Sequence, residues 1–145
     1  PINAPSPGVT WPVEFGRELC VAVRPVVAAG RVTTIGPLSN AACLTPVDRY
    51  PPQPPAGFQA VQEGTSVLVS WTAVEASDLA GYIVLRGVGS GDNLQPLMRE
   101  AITETTYRDV DVRPGETYFY AVYARDRAEP ANVSQLSNRQ SVTVR

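Results

Sequence analysis

Lysine and histidine are absent from the 145-residue sequence, so all 12 cationic side chains are arginines. That excludes histidine general bases, lysine Schiff bases, phosphate-loop lysines and imidazole metal ligands within the chain. Cysteine occurs only twice, at Cys20 and Cys43, and counting cannot decide between two buried thiols and one disulfide. No stretch approaches the roughly 20 apolar residues of a membrane helix, so any membrane attachment has to come from a removed signal, a lipid or a partner. A surplus of one charge sign is missing too. The 14 acidic residues and 12 arginines leave a net charge of −2, without the basic footprint of a nucleic-acid binder. The chain begins Pro1-Ile2-Asn3, with no starting Met, basic n-region or apolar leader, and is expected to be a piece of a longer or processed protein.

What is present is apolar alternation over short runs rich in β-branched and aromatic residues, the period of half-buried strands. Residues 66–72 read Ser-Val-Leu-Val-Ser-Trp-Thr, with Val67, Val69 and Trp71 on one face. Residues 80–86 hold Tyr82, Ile83, Val84 and Leu85; residues 117–125 alternate Tyr118, Tyr120 and Val122 with Phe119, Ala121 and Tyr123. Glu63-Gly64, the run Gly87 to Asn93, Arg113-Pro114-Gly115 and Ala128 to Asn132 supply turns between them. Strands so punctuated, with room for no more than a helical turn around Glu75 to Leu79, predict an antiparallel β-sandwich. Pro46, Pro51, Pro52, Pro54 and Pro55 crowd one stretch; fixed φ and missing amide donors predict a stiff, extended connector that doubles as an edge-strand lead-in.

Two short matches recur at nearly one offset: Ala22-Val23 as Ala121-Val122, and Leu38-Ser39-Asn40 as Leu136-Ser137-Asn138. Such a repeat predicts one hairpin arrangement used twice. The second copy has several strand-like runs before it and the first has few. Residues 1–48 are therefore expected to be the last three strands of a sandwich whose first half is missing.

Residues 57–145 resemble a fibronectin type III domain over their whole length. The resemblance rests on Pro55-Ala56-Gly57-Phe58 leading into strand A, Val69-Ser70-Trp71 closing strand B, and Asp78-Leu79-Ala80-Gly81-Tyr82-Ile83-Val84 opening strand C. Arg113-Pro114-Gly115-Glu116-Thr117-Tyr118 looks like the tyrosine corner, Tyr120, Val122 and Ala124 follow along strand F, and Ser134 to Ser137 with Val142 to Val144 look like strand G and its lead-in. The resemblance implies an immunoglobulin-like sandwich with Trp71, Tyr82, Tyr118 and Val122 in structural positions. It divides the chain into 1–48, the strands E, F and G of an incomplete preceding domain; 49–56, a proline-rich linker; and 57–145, a complete domain. In the first segment Leu19, Val21 and Val23 take the inward positions, and Leu19 stands where the corner tyrosine would be. An open half-sandwich does not persist in water, so its apolar face is expected to be covered by upstream chain or by a protein partner.

In that alignment Cys20 and Cys43 lie outward on adjacent antiparallel strands, close enough for a disulfide. The alternatives are a reactive or lipid-bearing thiol, or two small hydrophobes. Two cysteines without histidine do not build a usual zinc site. The acid pairs Glu75 and Asp78, Asp109 and Asp111, and Asp126 and Glu129 could suggest a glycosidase or a calcium site, but no Asp-x-Asp-x-Asp-Gly loop accompanies them. They are expected to be solvated or turn-forming. No serine sits in a Gly-x-Ser-x-Gly elbow, and Gly87, Gly89 and Gly91 lack the lysine of a phosphate loop. Arg24, Arg86, Arg108 and Arg125 are expected as solvated surface charges. Phe119 and Tyr123 point outward, either packing across the sheet or forming a contact patch.

The expectation is thus a noncatalytic, extracytoplasmic module of a bacterial-type secreted, surface or lipid-anchored protein, with no cofactor, metal or nucleic acid. One version is a scaffold or accessory subunit docked on a larger membrane complex, its protein partner covering residues 1–48. A second is a spacer or adhesin-like module of a surface protein or polysaccharide-degrading enzyme, and a third is a carbohydrate-binding module using the outward aromatics.

Overall fold

The computed structural model describes residues 10–145; the first nine positions of the expected 1–48 segment lie outside the described residues. Contacts divide the chain into Pro1–Asp48 and Arg49–Arg145. All regular structure among the described residues is β-strand.

The second unit is a two-sheet sandwich. One sheet orders β5 (Gln59–Glu63), β6 (Ser66–Ser70) and β9 (Thr106–Asp109). The other orders β11 (Gln140–Thr143), β10 (Thr117–Asp126), β7 (Leu79–Val88) and β8 (Gln95–Pro96). All pairings are antiparallel. The predicted helical turn is a tight turn at Ser77 and Asp78 that leads straight into β7. Alternation along the strands builds the core: Val67 and Val69 from β6, Tyr82 and Val84 from β7, and Tyr118, Tyr120, Val122 and Ala124 from β10, with Phe58, Trp71 and Val144 at its ends. Period-2 geometry puts these side chains on the facing surfaces of two sheets, where their burial drives the assembly.

Residues 134–137, expected as the lead-in to the last strand, form no strand. Instead the Ser134 and Ser137 hydroxyls accept hydrogen bonds from the Ala124 and Val122 amides, at 2.9 and 3.1 Å. The Ser134 and Ser137 amides in turn donate to the Ala124 and Val122 carbonyls, at 2.9 and 2.8 Å, so the chain stays beside β10 until the regular ladder with β11 resumes at Gln140. Residues 49–58 also carry no strand, yet Pro52 and Pro55 are buried.

The first unit contains four short strands where three were expected: β1 (Leu19–Val21) pairs with β4 (Ala42–Leu44), and β2 (Val26–Ala29) with β3 (Val32–Ile35). The extra pair is a hairpin closed at Gly30 and Arg31, interposed between the two halves of the outer pair. The repeat in the sequence is a repeat of hydrogen bonds. The Val23 carbonyl accepts from the Ser39 amide while the Val23 amide donates to the Ser39 hydroxyl oxygen, and Val122 and Ser137 pair in the same way. Each serine hydroxyl then donates to the next carbonyl, of Asn40 or Asn138, at 2.9 Å. The positions assigned inward in this unit are not enclosed: Leu19 is 38% exposed and Val23 65%, and Val21 is only half-buried. An inward face becomes interior only when a second sheet lies on it, and the described residues of this unit supply none.

Candidate interaction surfaces and the buried charge node

The most organised polar group in the second unit joins its two sheets. Arg86 on β7 donates to both Asp109 carboxylate oxygens, at 2.9 and 3.1 Å, and to the Asp111 carbonyl at 2.7 Å. Tyr120 on β10 donates its hydroxyl to the same carboxylate at 2.8 Å, and the Asp111 amide caps it at 3.1 Å. Asp109 is 2% exposed, so these donors replace water around a buried anion. Its ion pair with Arg86 raises the guanidinium, overcoming the opposing effect of burial. Burial first, and then the hydrogen bond to Asp109, push the Tyr120 phenol far above its ordinary value. The expected solvated readings of Asp109 and Arg86 are therefore corrected. Both lie on inward parities, Arg86 with Tyr82 and Val84, Asp109 with Tyr107, and that parity was the available signal.

Asp126 is corrected in the same way. It is 1% exposed and continues the inward series Tyr118, Tyr120, Val122, Ala124. Its carboxylate accepts from the Ala128 and Asn132 amides and the Asn132 side chain. It holds the 127–132 loop rather than facing solvent.

The structural aromatics are placed as follows. The buried Tyr118 ring lies under the Arg86 guanidinium, 5.4 Å from its centroid, and its hydroxyl accepts from the Arg113 amide at 3.0 Å. Tyr82 caps the Val74 amide at 2.7 Å. Trp71 meets Tyr82 edge-on at 5.3 Å and stacks near Phe58, while its buried Nε1 has no hydrogen-bond partner among the described residues. Val122 is fully buried. Phe119 and Tyr123 are half-buried and stand opposite Gly87 and Ile83 on β7. Gly91, at φ 73°, folds its backbone over the Phe119 ring, so the glycine-rich turn covers one face of that aromatic.

Cys20 and Cys43 are register partners joined by a disulfide and are exposed. A surface hollow of about 300 Å³ is bordered by Arg99, Arg125 and Arg127 with Glu100, Asp126 and Glu129. Its opposite charges balance, and it gathers no nucleophile with a base.

No family model matches the sequence, and no curated protein matches it. Solved structures do. An Fn3-like protein from Clostridium thermocellum is 26% identical, with a TM-score of 0.55 over 66% of this chain and 96% of that one. The chain is similar to fibronectin type III-like proteins and has their fold. The structure of a myokine matches at 17% identity and a TM-score of 0.53, over 64% of this chain and 97% of its own. The FN1-FN3 domains of chicken CNTN1 match at 17% identity and a TM-score of 0.60, over 92% of this chain and 44% of that chain. The disulfide and this fold point to a location outside the cytoplasm, and no helix among the described residues is long and apolar enough to cross a membrane.

Proposed function

We propose that this chain is a noncatalytic interaction module, working outside the cytoplasm as a scaffold within a larger assembly. In this reading residues 1–48 are the closing strands of one fibronectin type III sandwich, 49–56 the connector and 57–145 a complete second sandwich. One observation carries it: the second unit buries charged side chains in internal hydrogen bonds around its core, whereas the strands of the first unit leave their apolar side chains without a covering sheet among the described residues. In the second unit Asp109, Asp126 and Arg86 are consumed by internal hydrogen bonds. In the first, Val23, Val26, Val27, Val32, Ile35 and Leu44 stand 59–68% exposed on strands or beside them. Uncovered apolar side chains on strands fit protein contact rather than a polar small substrate.

A spacer role in a longer surface protein is the second reading, favoured by the duplicated serine clamp. Carbohydrate stacking on Phe119 is disfavoured, because Gly91 lies against that ring. The test is cross-linking in the producing cell followed by mass spectrometry without reduction. Cross-links from residues 10–48 into protein, with Cys20 and Cys43 oxidised, are expected. Reduced cysteines in the cell, or no protein cross-link to that segment, would overturn the reading.

A further inference from the structure

The β2–β3 hairpin presents sheet edges that nothing among the described residues covers. Its register pairs Val26↔Ile35, Val27↔Thr34, Ala28↔Thr33 and Ala29↔Val32 around a two-residue turn with Gly30 at φ 59°. The Gly36 amide donates to the Pro25 carbonyl at 2.9 Å, which fixes the alternation. Val27, Ala29, Val32 and Thr34 turn their backbone groups into the hairpin, whereas Val26, Ala28, Thr33 and Ile35 turn theirs outward. The two strands form a sheet of their own, so the outward amides and carbonyls meet no further strand among the described residues. A two-stranded ribbon is marginal in water and gains most from additional strands.

The second unit shows what a protected edge looks like in the same chain. β8 closes its sheet with Pro96, and β9 carries Arg108, ion-paired to Glu63. β5 and β11 are tied together by Gln62, whose side chain donates to the Arg145 carbonyl at 3.0 Å and accepts from the Arg145 amide at 3.1 Å. β3 has none of these devices. All four of its residues, Val32, Thr33, Thr34 and Ile35, are β-branched, uncharged and exposed, the composition that most favours a further strand. β2 is the poorer edge, because two of its four residues are alanine and Pro25 precedes it.

We infer that the outer edge of β3 is a self-association site, and that its occupant is β3 of a second copy of this chain. The strand matches itself. About a two-fold axis at Thr33, antiparallel pairing sets the outward Thr33 of each copy against Thr33 of the other, where they exchange two backbone hydrogen bonds. Ile35 then lies opposite Arg31, and Val32 opposite Thr34, so β-branched side chains meet across the seam. Arg31 is the only charge beside this edge, and the register keeps the two copies of it apart. One sequence thus supplies both halves of an isologous contact, which closes at two chains. Four residues a side is far short of the roughly 20–30 of a standard interface, so the pairing is weak and concentration-dependent. This deepens the interaction-module reading, on which it rests, by naming one partner of the first unit.

The test is sedimentation equilibrium of the oxidised 145-residue chain between about 10 µM and about 1 mM, with amide hydrogen exchange at both ends of that range. Mass should rise toward two chains and no further. The Thr33 and Ile35 amides should exchange at least about fivefold more slowly at the high concentration, with the Val122 amide unchanged. Thr33→Pro removes the outward donor without breaking a bond inside the hairpin, and should weaken association at least about tenfold. Thr33→Lys and Thr33→Glu each set like charges side by side and should stay monomeric, whereas an equal mixture of the two should associate again. A chain that is monomeric throughout, growth past two chains, association that leaves Thr33 exchange unchanged, or a mixture that stays monomeric would each overturn the assignment. Cellular redox state and cross-links to other proteins have no part in this readout, so failure of the interaction-module reading and failure of this one are distinguishable.

Discussion

Tyr120 donates its hydroxyl to Asp109 at 2.8 Å, linking β10 of one sheet to β9 of the other through a carboxylate that Arg86 also holds. Three strands from both sheets thus meet on one buried anion. Removing the anion leaves a guanidinium and a phenol without their acceptor in a desolvated place. Asp109→Ala should therefore cost about 3 kcal/mol or more in urea unfolding, the range for breaking a buried pair from one side. The double variant with Arg86→Met should lose less than Asp109→Ala alone. Additive losses would show that the two residues do not act as a pair.

The same contact sets an alkaline limit. Burial and then the Asp109 hydrogen bond raise the Tyr120 phenol well above its ordinary value of 10.0. The folded state keeps the proton where the unfolded state releases it. Tyr120 thus adds no pH dependence below about pH 10, and above it stability should fall with rising pH as the unfolded chain ionises. Tyr120→Phe should flatten that fall. Urea midpoints between pH 9 and 11.5 check this, and identical slopes in the two proteins would contradict it.

Strand positions and the sandwich core were legible because alternation is local, and Val67, Val69, Tyr82, Val84, Tyr118 and Tyr120 carry it within short windows. The charged node was misjudged because its meaning is nonlocal: Arg86 lies 23 residues and Tyr120 11 residues from Asp109. Composition treats each as a surface charge or a core phenol. Parity would have found them, since a charge on the inward face of a buried strand needs an opposite charge facing it. Residues 134–137 were legible only as a lead-in: the serine hydroxyls that accept from β10 amides there are a detail that a pattern of apolar residues does not register.

The Cys20–Cys43 disulfide closes a loop with a sequence separation of 23 in a unit that has little enclosed core. By the chain-entropy argument such a closure contributes about 3 kcal/mol. Reduction, or Cys20→Ser with Cys43→Ser, should release residues 19–44 to rapid proteolysis while leaving the urea midpoint of the second unit, which has its own core, unchanged. The Trp71 fluorescence transition and a protease time course separate the two effects. A shifted second-unit midpoint would mean that the units share stability.

The covered face of Phe119 leads to a prediction about coupling. A Cβ on Gly91 would fall onto the Phe119 ring atoms, and the backbone there has a φ of 73° that an L side chain rarely adopts. Gly91→Ala therefore carries two penalties, steric overlap and backbone strain, together about 2–3 kcal/mol. Replacing the ring removes only the first. In Phe119→Ala the overlap disappears, so adding Gly91→Ala to that variant should cost only the backbone share, about 1 kcal/mol. A double-mutant cycle in urea should show a coupling of about 1 kcal/mol or more between the two positions. If the substitutions are additive, the turn does not rest on the ring, and Phe119 becomes available as an open aromatic surface. In that case the argument against a carbohydrate contact at this sheet would no longer hold.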